Sequence, residues 1–349
     1  MCHDTGPAVM QAVNTKGAAD KRGVRVKRLL AVILAAAVLY SGWWIYAAQD
    51  MRRGLEDWFE DQRNSSWQAT FSDLSVRGFP NRTDATVTDP LLLSPDGTIG
   101  WRAPFLQILG LSYKHGHVIV VPSDTQTLTT PDGEIGLSSD GLRASVIFED
   151  QTVLRSNLEA MVLNLTGPER AVAMAGVSAA LEKTDTAPGA YRAAVSVESI
   201  AVSPSNVTTN MGPDSLASLR AEMDLVFDTP LRIDGLTDAP PPRDITLQRS
   251  EITYGSVTFK LTGSASFDMQ GRATGEVNIA AENWRDAIEA ARNRGDLPPA
   301  LSEGLIDLLS MLSSLSGARD ALDVTLGLDR GTVLIGPIPI GTLPPLQWR

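Results

Sequence analysis

A run of twenty residues without a charge, Leu29 to Ala48 (LLAVILAAAVLYSGWWIYAA), limits what this chain can become more than any other feature. At about 1.5 Å of rise per residue, a helix of that length covers the ~30 Å hydrocarbon layer of a bilayer. The reading is a membrane-spanning helix over 29–48. A cleaved secretory signal competes with it, but such a signal usually has an apolar region of about 7 to 15 residues followed by a small-x-small site. Here the run is longer, and Tyr46-Ala47-Ala48 puts a bulky ring where a small residue is wanted. The span is therefore expected to stay in the lipid bilayer as an uncleaved anchor.

Residues 1–28 hold six basic side chains (Lys16, Lys21, Arg22, Arg25, Lys27 and Arg28) against Asp4 and Asp20, a charge of +4 beside the span. The positive-inside rule places that end in the cytoplasm, and Tyr40, Trp43, Trp44 and Tyr46 mark the outer interface, where amphipathic rings prefer the headgroup layer. The first two dozen residues are small, polar and non-periodic. Residues 1–28 are expected to be a disordered cytoplasmic tail, or in part an over-extended start to the reading frame.

The 301 residues after the span carry 24 basic against 39 acidic side chains, or −15. An acidic surface lacks the electrostatic footprint of a nucleic-acid binder, which sets that class aside. The only cysteine is Cys2, so this part has no disulfide and must be stabilised by its core. Extracellular eukaryotic domains of this size usually carry disulfides, which favours the bacterial periplasm. The expected location is the inner membrane, single-pass, with the C-terminal part periplasmic.

Directly after the span, Met51, Leu55, Trp58 and Phe59 fall at helical spacing among charged residues. An amphipathic juxtamembrane helix is expected over 49–66, either as an interfacial stalk or packed on the domain that follows. From Trp67 onward the dominant period is two. Leu142, Ala144, Val146 and Phe148 alternate with polar residues, as do Ala221, Met223, Leu225 and Phe227, then Val257, Phe259 and Leu261, then Ala265, Phe267 and Met269, then Val277 and Ile279, and finally Leu322 to Leu328. Such alternation marks antiparallel strands with one greasy and one wet face. Asp96-Gly97, Asp132-Gly133, Asp140-Gly141, Gly255, Gly263, Gly271 and Asp329-Arg330-Gly331 read as turns between them.

Three helices are expected to interrupt the strands. Thr166 and Glu169 have capping-box spacing before a largely apolar helix through Val172, Met174, Val177, Ala180 and Leu181 to about Lys183. Asn283 is a cap for a helix through Arg294, ended by Gly295, and Leu301, Leu305, Leu308, Leu312 and Leu315 line a third. The fold class that results is mainly β with a few helices (α+β). It is a large twisted antiparallel sheet, or an open half-barrel or sandwich, packed by two or three helices. It occupies 67–349, with a possible subdivision at the Pro-rich stretch 238–242 (DAPPP).

Chemistry is hard to find. His115 and His117 share one side of a strand and could grip zinc or copper, but a site needs further ligands that only scattered carboxylates offer; an exposed strand end is the plainer account. There is no G-x-S-x-G elbow, S-x-x-K pairing, H-E-x-x-H helix or phosphate-cradling glycine loop. Paired carboxylates for glycoside hydrolysis remain possible among many acids. No catalytic residue, cofactor or metal ligand is assigned.

Two motifs stand out instead. Gly78, Phe79, Pro80 and Arg82 join two strand-like runs through a tight bend, with Phe79 free to plug the sheet. Gly336 and Pro337 open a proline-rich ending that must lie on an edge or leave the sheet, because proline cannot donate to a ladder. On the basic start before Leu29, the post-membrane helix, the Gly78-Phe79-Pro80 bend and the Gly336-Pro337 to Pro345-Leu346 ending, the chain resembles a proteobacterial domain-of-unknown-function family of N-terminally anchored periplasmic proteins. More distantly it is similar to AsmA-like envelope proteins, and that resemblance implies handling of lipid between membranes and no catalytic residues. This chain is much shorter than the large lipid-bridging members.

Three functions follow as expectations. The first is a non-catalytic anchored protein that binds or handles lipid or other apolar envelope material, since an apolar sheet face must be covered by helices, a second sheet or a ligand. The second is a scaffold or assembly factor that meets another envelope protein through its sheet edges. The third is a carboxylate-based envelope hydrolase.

Overall fold

The computed structural model describes residues 16–204, 217–233, 241–255, 257–285 and 321–346, together with residues 288, 289, 292, 306 and 310. One helix, α1 (Lys16–Asn64), takes in the apolar run, the juxtamembrane segment and residues 16–28 of the expected tail, which are helical. Its stretch Val26–Asn64 is long and apolar enough to cross a membrane. The helix ends where Ser66 adopts a left-handed conformation (φ 68°) and the Arg63 guanidinium donates to the Ala69 carbonyl at 2.9 Å. Leu55, Trp58 and Phe59 then pack against Ala69, Leu74 and Val87, so the amphipathic segment is docked on the sheet.

The first strands are bent pairs: β1 (Gln68–Thr70) with β2 (Asp73–Arg77), β3 (Arg82–Thr88) with β4 (Leu91–Leu93), and β5 (Gly100–Arg102) with β6 (Phe105–Leu111). After them come β7 (Lys114–Pro122) with β8 (Thr125–Thr130), and β9 (Gly133–Asp140) with β10 (Arg143–Glu149). The breaks line up into a crease. Pro90 and Pro104 lie in it and have no N–H for a ladder, and the chains are held across it by Asp89 N–H to the Pro104 carbonyl (2.9 Å) and Ala103 N–H to the Pro90 carbonyl (3.3 Å). On one side of the crease the order is β2-β3-β6-β7-β10, on the other β1-β4-β5-β8-β9, and both join β11 (Thr152–Thr166).

Beyond it each strand pairs with the next in chain order. These are β12 (Arg170–Lys183), β13 (Ala190–Pro204), β14 (Ala217–Val226), β15 (Asp244–Tyr254) and β16 (Val257–Phe267), then β17 (Ala273–Glu282), β18 (Ala321–Asp329), β19 (Thr332–Ile335) and β20 (Ile338–Thr342). The product is one open antiparallel meander. β14 pairs directly with β15, so the sheet is continuous on either side of 238–242, of which 238–240 lie outside the described residues.

Register makes the sheet two-faced. Directly paired residues share a face, and one row runs Val76, Ala85, Ile108, Val120, Ala144, Leu158. It continues through Ala179, Val195, Ala221, Ser250, Leu261, Ile279 and Val324. At about 4.8 Å between strands, twelve steps make a track of roughly 58 Å that is apolar at every position but Ser250. The neighbouring row, displaced by one residue and so on the other face, reads Arg143, Glu159, Ser178, Ser196, Arg220, Glu251 and Lys260. Cross-strand ion pairs stud that wet face: Arg143 with Glu159, Arg192 with Asp224 (2.9 Å) and Lys260 with Glu282 (2.7 Å). Exposed as they are, such pairs mainly set solubility and register.

Helical residues cover the two ends of the apolar face. α1 covers Leu74 and Val87, and at the far end Trp284, Ile288 and Ile306 pack on Phe259, Ala281 and Val324. Trp284, Arg285, Ile288, Glu289, Arg292, Ile306 and Ser310 are helical. Gly295 and the leucines Leu301, Leu305, Leu308, Leu312 and Leu315 lie outside the described residues. Toward the middle, Tyr191 is buried with Val153, Phe227 and Leu231. Its hydroxyl donates to the Val153 carbonyl (3.0 Å) and accepts from the Leu231 N–H (2.9 Å), tying the segment after β14 to the sheet.

Two of the expected helices and turns are overturned. The helix expected over 166–183 is strand β12, laddered to β11 on one side and β13 on the other, while Gly167 donates to the Arg170 carbonyl in the turn before it. Alanine-rich sequence favours helix by tenths of a kcal/mol per residue, and two full ladders outweigh that. Gly263, expected as a turn, lies inside β16 opposite Val277. A Cβ there would stand 2.3 Å from the Glu276 carbonyl oxygen, and one at Gly275, opposite Ala265, would stand 2.1 Å from that of Ser264, so at each position the glycine lets the backbone of the partner strand come close.

Candidate functional site

The bend between β2 and β3 is locked by its own backbone. Gly78 sits at φ 111°, where a Cβ would fall 2.8 Å from the Cβ of Arg82, the Phe79-Pro80 peptide is cis, and the Arg82 N–H donates to the Gly78 carbonyl at 2.9 Å. That geometry turns carbonyls outward, and α1 supplies their partners. Trp44 Nε1 donates to the Arg82 carbonyl at 2.7 Å, and the Tyr40 hydroxyl donates to the Pro80 carbonyl at 3.0 Å. Buried Ser112, in the turn between β6 and β7, donates to the same Pro80 carbonyl at 3.1 Å. Phe79 does not plug the sheet as expected: its ring meets Trp44 edge-on at 5.5 Å and stays 54% exposed. Arg82 pairs with Asp84 at 2.9 Å.

Next to this junction a crevice of about 450 Å³ opens between α1 and strands β3, β6 and β7, lined by Trp43, Tyr46, Met51, Leu111, Lys114 and His117 among others. His117 lies opposite Ile147 on β10, and among the described residues no group of three or more His, Cys, Asp or Glu side chains stands close enough to hold a metal.

The second region is the middle of the apolar track. Ala144, Leu158, Ala179 and Val195 are only partly buried there. The opposite, wet face carries a shallow cavity of about 490 Å³ among Arg155, Glu159, Arg220 and Glu222. Carboxylates of the wet face and its turns are held as anions: Arg192 lowers Asp224, the Ser266 hydroxyl lowers Asp244, backbone N–H of Arg272 lowers Asp268, and Ser94 with Thr98 bring Asp96 down to about 2. That direction is opposite to the one a general acid requires.

The third region is the C-terminal hairpin. Gly336 (φ 56°) and Pro337 turn β19 into β20, which is an edge strand paired on one side among the described residues. The ending lies on an edge, as proline content requires, and returns to the sheet through Leu346 N–H to the Gly271 carbonyl at 2.8 Å.

Residues 44–344 match the profile of a bacterial family described as uncharacterized protein conserved in bacteria (DUF2125). The chain belongs to this family. The DUF2125 region begins at Trp44, the helix residue bonded to the β2–β3 bend, and closes within the C-terminal segment after β20. It therefore takes in the upper part of α1 and the whole sheet. No curated protein and no solved structure matches the chain. Sequence reading found the bend and the ending, but it missed the central track, whose signal was the alternation itself summed across strands.

Proposed function

We propose that this DUF2125 protein is a non-catalytic, membrane-anchored handler of lipid or other apolar envelope material, with α1 in the inner membrane, its N-terminus cytoplasmic and the sheet in the periplasm. The observation that carries the reading is the row from Val76 to Val324, apolar at every position but Ser250, covered by helices at both ends and partly open over Ala144, Leu158, Ala179 and Val195. Acyl chains are the partners that suit such a face, because they gain from leaving water without asking for polar groups in return. One end of that row reaches the anchor helix, so lipid leaving the bilayer would meet the track directly. The AsmA-like resemblance points the same way. A benzophenone amino acid placed at Leu158 or Val195 in intact cells should form lipid adducts visible by mass spectrometry, with Ser178 on the wet face as control. Adducts to protein alone, or equal lipid adducts at Ser178, would remove the reading.

A second reading is favoured by β20. Ile338 (62% exposed) and Ile340 (53% exposed) present apolar side chains on an edge strand, a geometry suited to strand addition by another envelope protein. The same crosslinker at Ile340 should capture one discrete protein band if this edge is used.

A further inference from the structure

The free length of α1 is too short for the bilayer it is proposed to cross. Leu29 to Leu39 is exposed on every side, and at about 1.5 Å per residue those eleven residues span roughly 16 Å. The hydrocarbon layer is about 30 Å thick. From Tyr40 upward the helix is already bonded to the sheet, through Tyr40 to Pro80 and Trp44 to Arg82. The missing thickness must be filled at a level where sheet turns flank the helix. Strand direction fixes which part of the sheet this is, because Leu74 and Val87 pack high on α1 beside Phe59 while the 78–82 bend meets residues 40–44. The β2–β3 and β6–β7 turns thus lie on the bilayer-facing edge of the sheet, at the end beside the helix.

Their side chains suit that depth. Phe79 and Tyr113 (66% exposed) point ring surface outward at the two tips. Arg77, Arg82 and Lys114 stand exposed within a few residues of them, on a part of the chain that is otherwise strongly acidic. Aromatic rings flanked by cations are the composition of a membrane interface, with rings at the headgroup boundary and cations at the phosphates. The two tips stand side by side, since Ser112 bonds the Pro80 carbonyl across them.

We infer that the β2–β3 and β6–β7 turns are immersed in the headgroup layer of the same bilayer, with Phe79 and Tyr113 as interfacial anchors and Arg77, Arg82 and Lys114 at lipid phosphates. The inference rests on α1 crossing the bilayer, as proposed above, and not on lipid occupying the apolar track. Immersion holds the sheet at a set height and angle, with the crevice lined by Trp43, Tyr46 and Lys114 opening at headgroup level.

The test uses the full chain with Cys2→Ser, reconstituted in vesicles of phosphatidylcholine and phosphatidylglycerol (3:1 as a working ratio, roughly the anionic content that attracts basic residues). A polarity-sensitive fluorophore is attached in turn at Phe79→Cys, Tyr113→Cys, Leu34→Cys in the span, and Met269→Cys in the distant β16–β17 turn, where the side chain is 98% exposed. Spin-labelled lipids carrying the quencher near the headgroup should quench positions 79 and 113 several-fold more than position 269. Quenchers placed deep in the acyl chain should favour position 34. If 79 and 113 behave like 269 while 34 is quenched, the sheet stands clear of the membrane and the inference fails with the anchor intact. If 34 is also unquenched, the anchor and the inference fall together. Tyr113→Cys carries the test even if Phe79→Cys disturbs the packing on Trp44.

Discussion

Ala179→Glu places a carboxylate in the centre of the apolar row, directly between Leu158 and Val195. A strand spacing of about 4.8 Å accommodates roughly four methylenes of an extended acyl chain, each worth about 0.8 kcal/mol when fully buried, or about 3 kcal/mol in all. The row is only partly covered here, so about half of that, ~1.5 kcal/mol, is at stake, which corresponds to roughly a tenfold fall in occupancy at limiting lipid. The matched control is Ser178→Glu, one residue earlier on the same strand, where the side chain is exposed on the wet face beside Glu159 and Ser196. Both variants add the same charge to the same ladder. With a benzophenone side chain at Val195, lipid adduct yield should fall about tenfold in Ala179→Glu and stay within about twofold of the parent in Ser178→Glu, thermal melts confirming that both remain folded. Equal yields in folded Ala179→Glu and parent protein would refute the argument, because a hydrated carboxylate in the middle of an acyl path cannot be neutral.

Other outcomes follow from single contacts. Tyr191→Phe leaves the buried Leu231 N–H without its acceptor and should cost about 1–3 kcal/mol in denaturant unfolding, with faster amide exchange at Leu231 as the local sign. Burial pushes the Tyr191 phenol above its usual range, against the opposing Leu231 N–H, so the native state holds that proton more tightly than the unfolded chain. Its contribution is complete below about pH 10 and declines as pH rises past that value; Tyr191→Phe should flatten the alkaline limb of a stability profile. Gly275→Ala drives a Cβ to 2.1 Å from the Ser264 carbonyl oxygen and 2.8 Å from the Ala265 Cα, backbone atoms that cannot step aside, and should lower stability by about 1–3 kcal/mol. Gly54→Ala, on α1 with no neighbour within 4 Å of the new Cβ, should raise helix stability by about 0.5–1 kcal/mol; a melt showing the reverse order for the two glycines would contradict the packing described.

Much of the architecture was legible in the chain because it is local. Alternation at Ala221, Met223 and Leu225 and at Val277 and Ile279 follows from strand pleating alone, and each segment occurs in the sheet with its apolar residues on one face. The bend at Gly78 and the edge placement after Gly336 follow from backbone limits on glycine and proline. Arg170–Lys183 was misread because its alanines carry a helical preference that only its partners override. Gly263 was misread because a turn and a close strand crossing call for the same residue.

By itself the sequence determined that a greasy helix precedes a body of two-faced strands, since hydropathy and period are properties of neighbouring residues. Only the tertiary structure decided how those faces join. Register across strands far apart in sequence merges short alternating runs into one apolar track, and the docking of Tyr40 and Trp44 on the β2–β3 bend brings that sheet down against the helix. Both depend on contacts between residues separated by tens of positions, which no local pattern encodes.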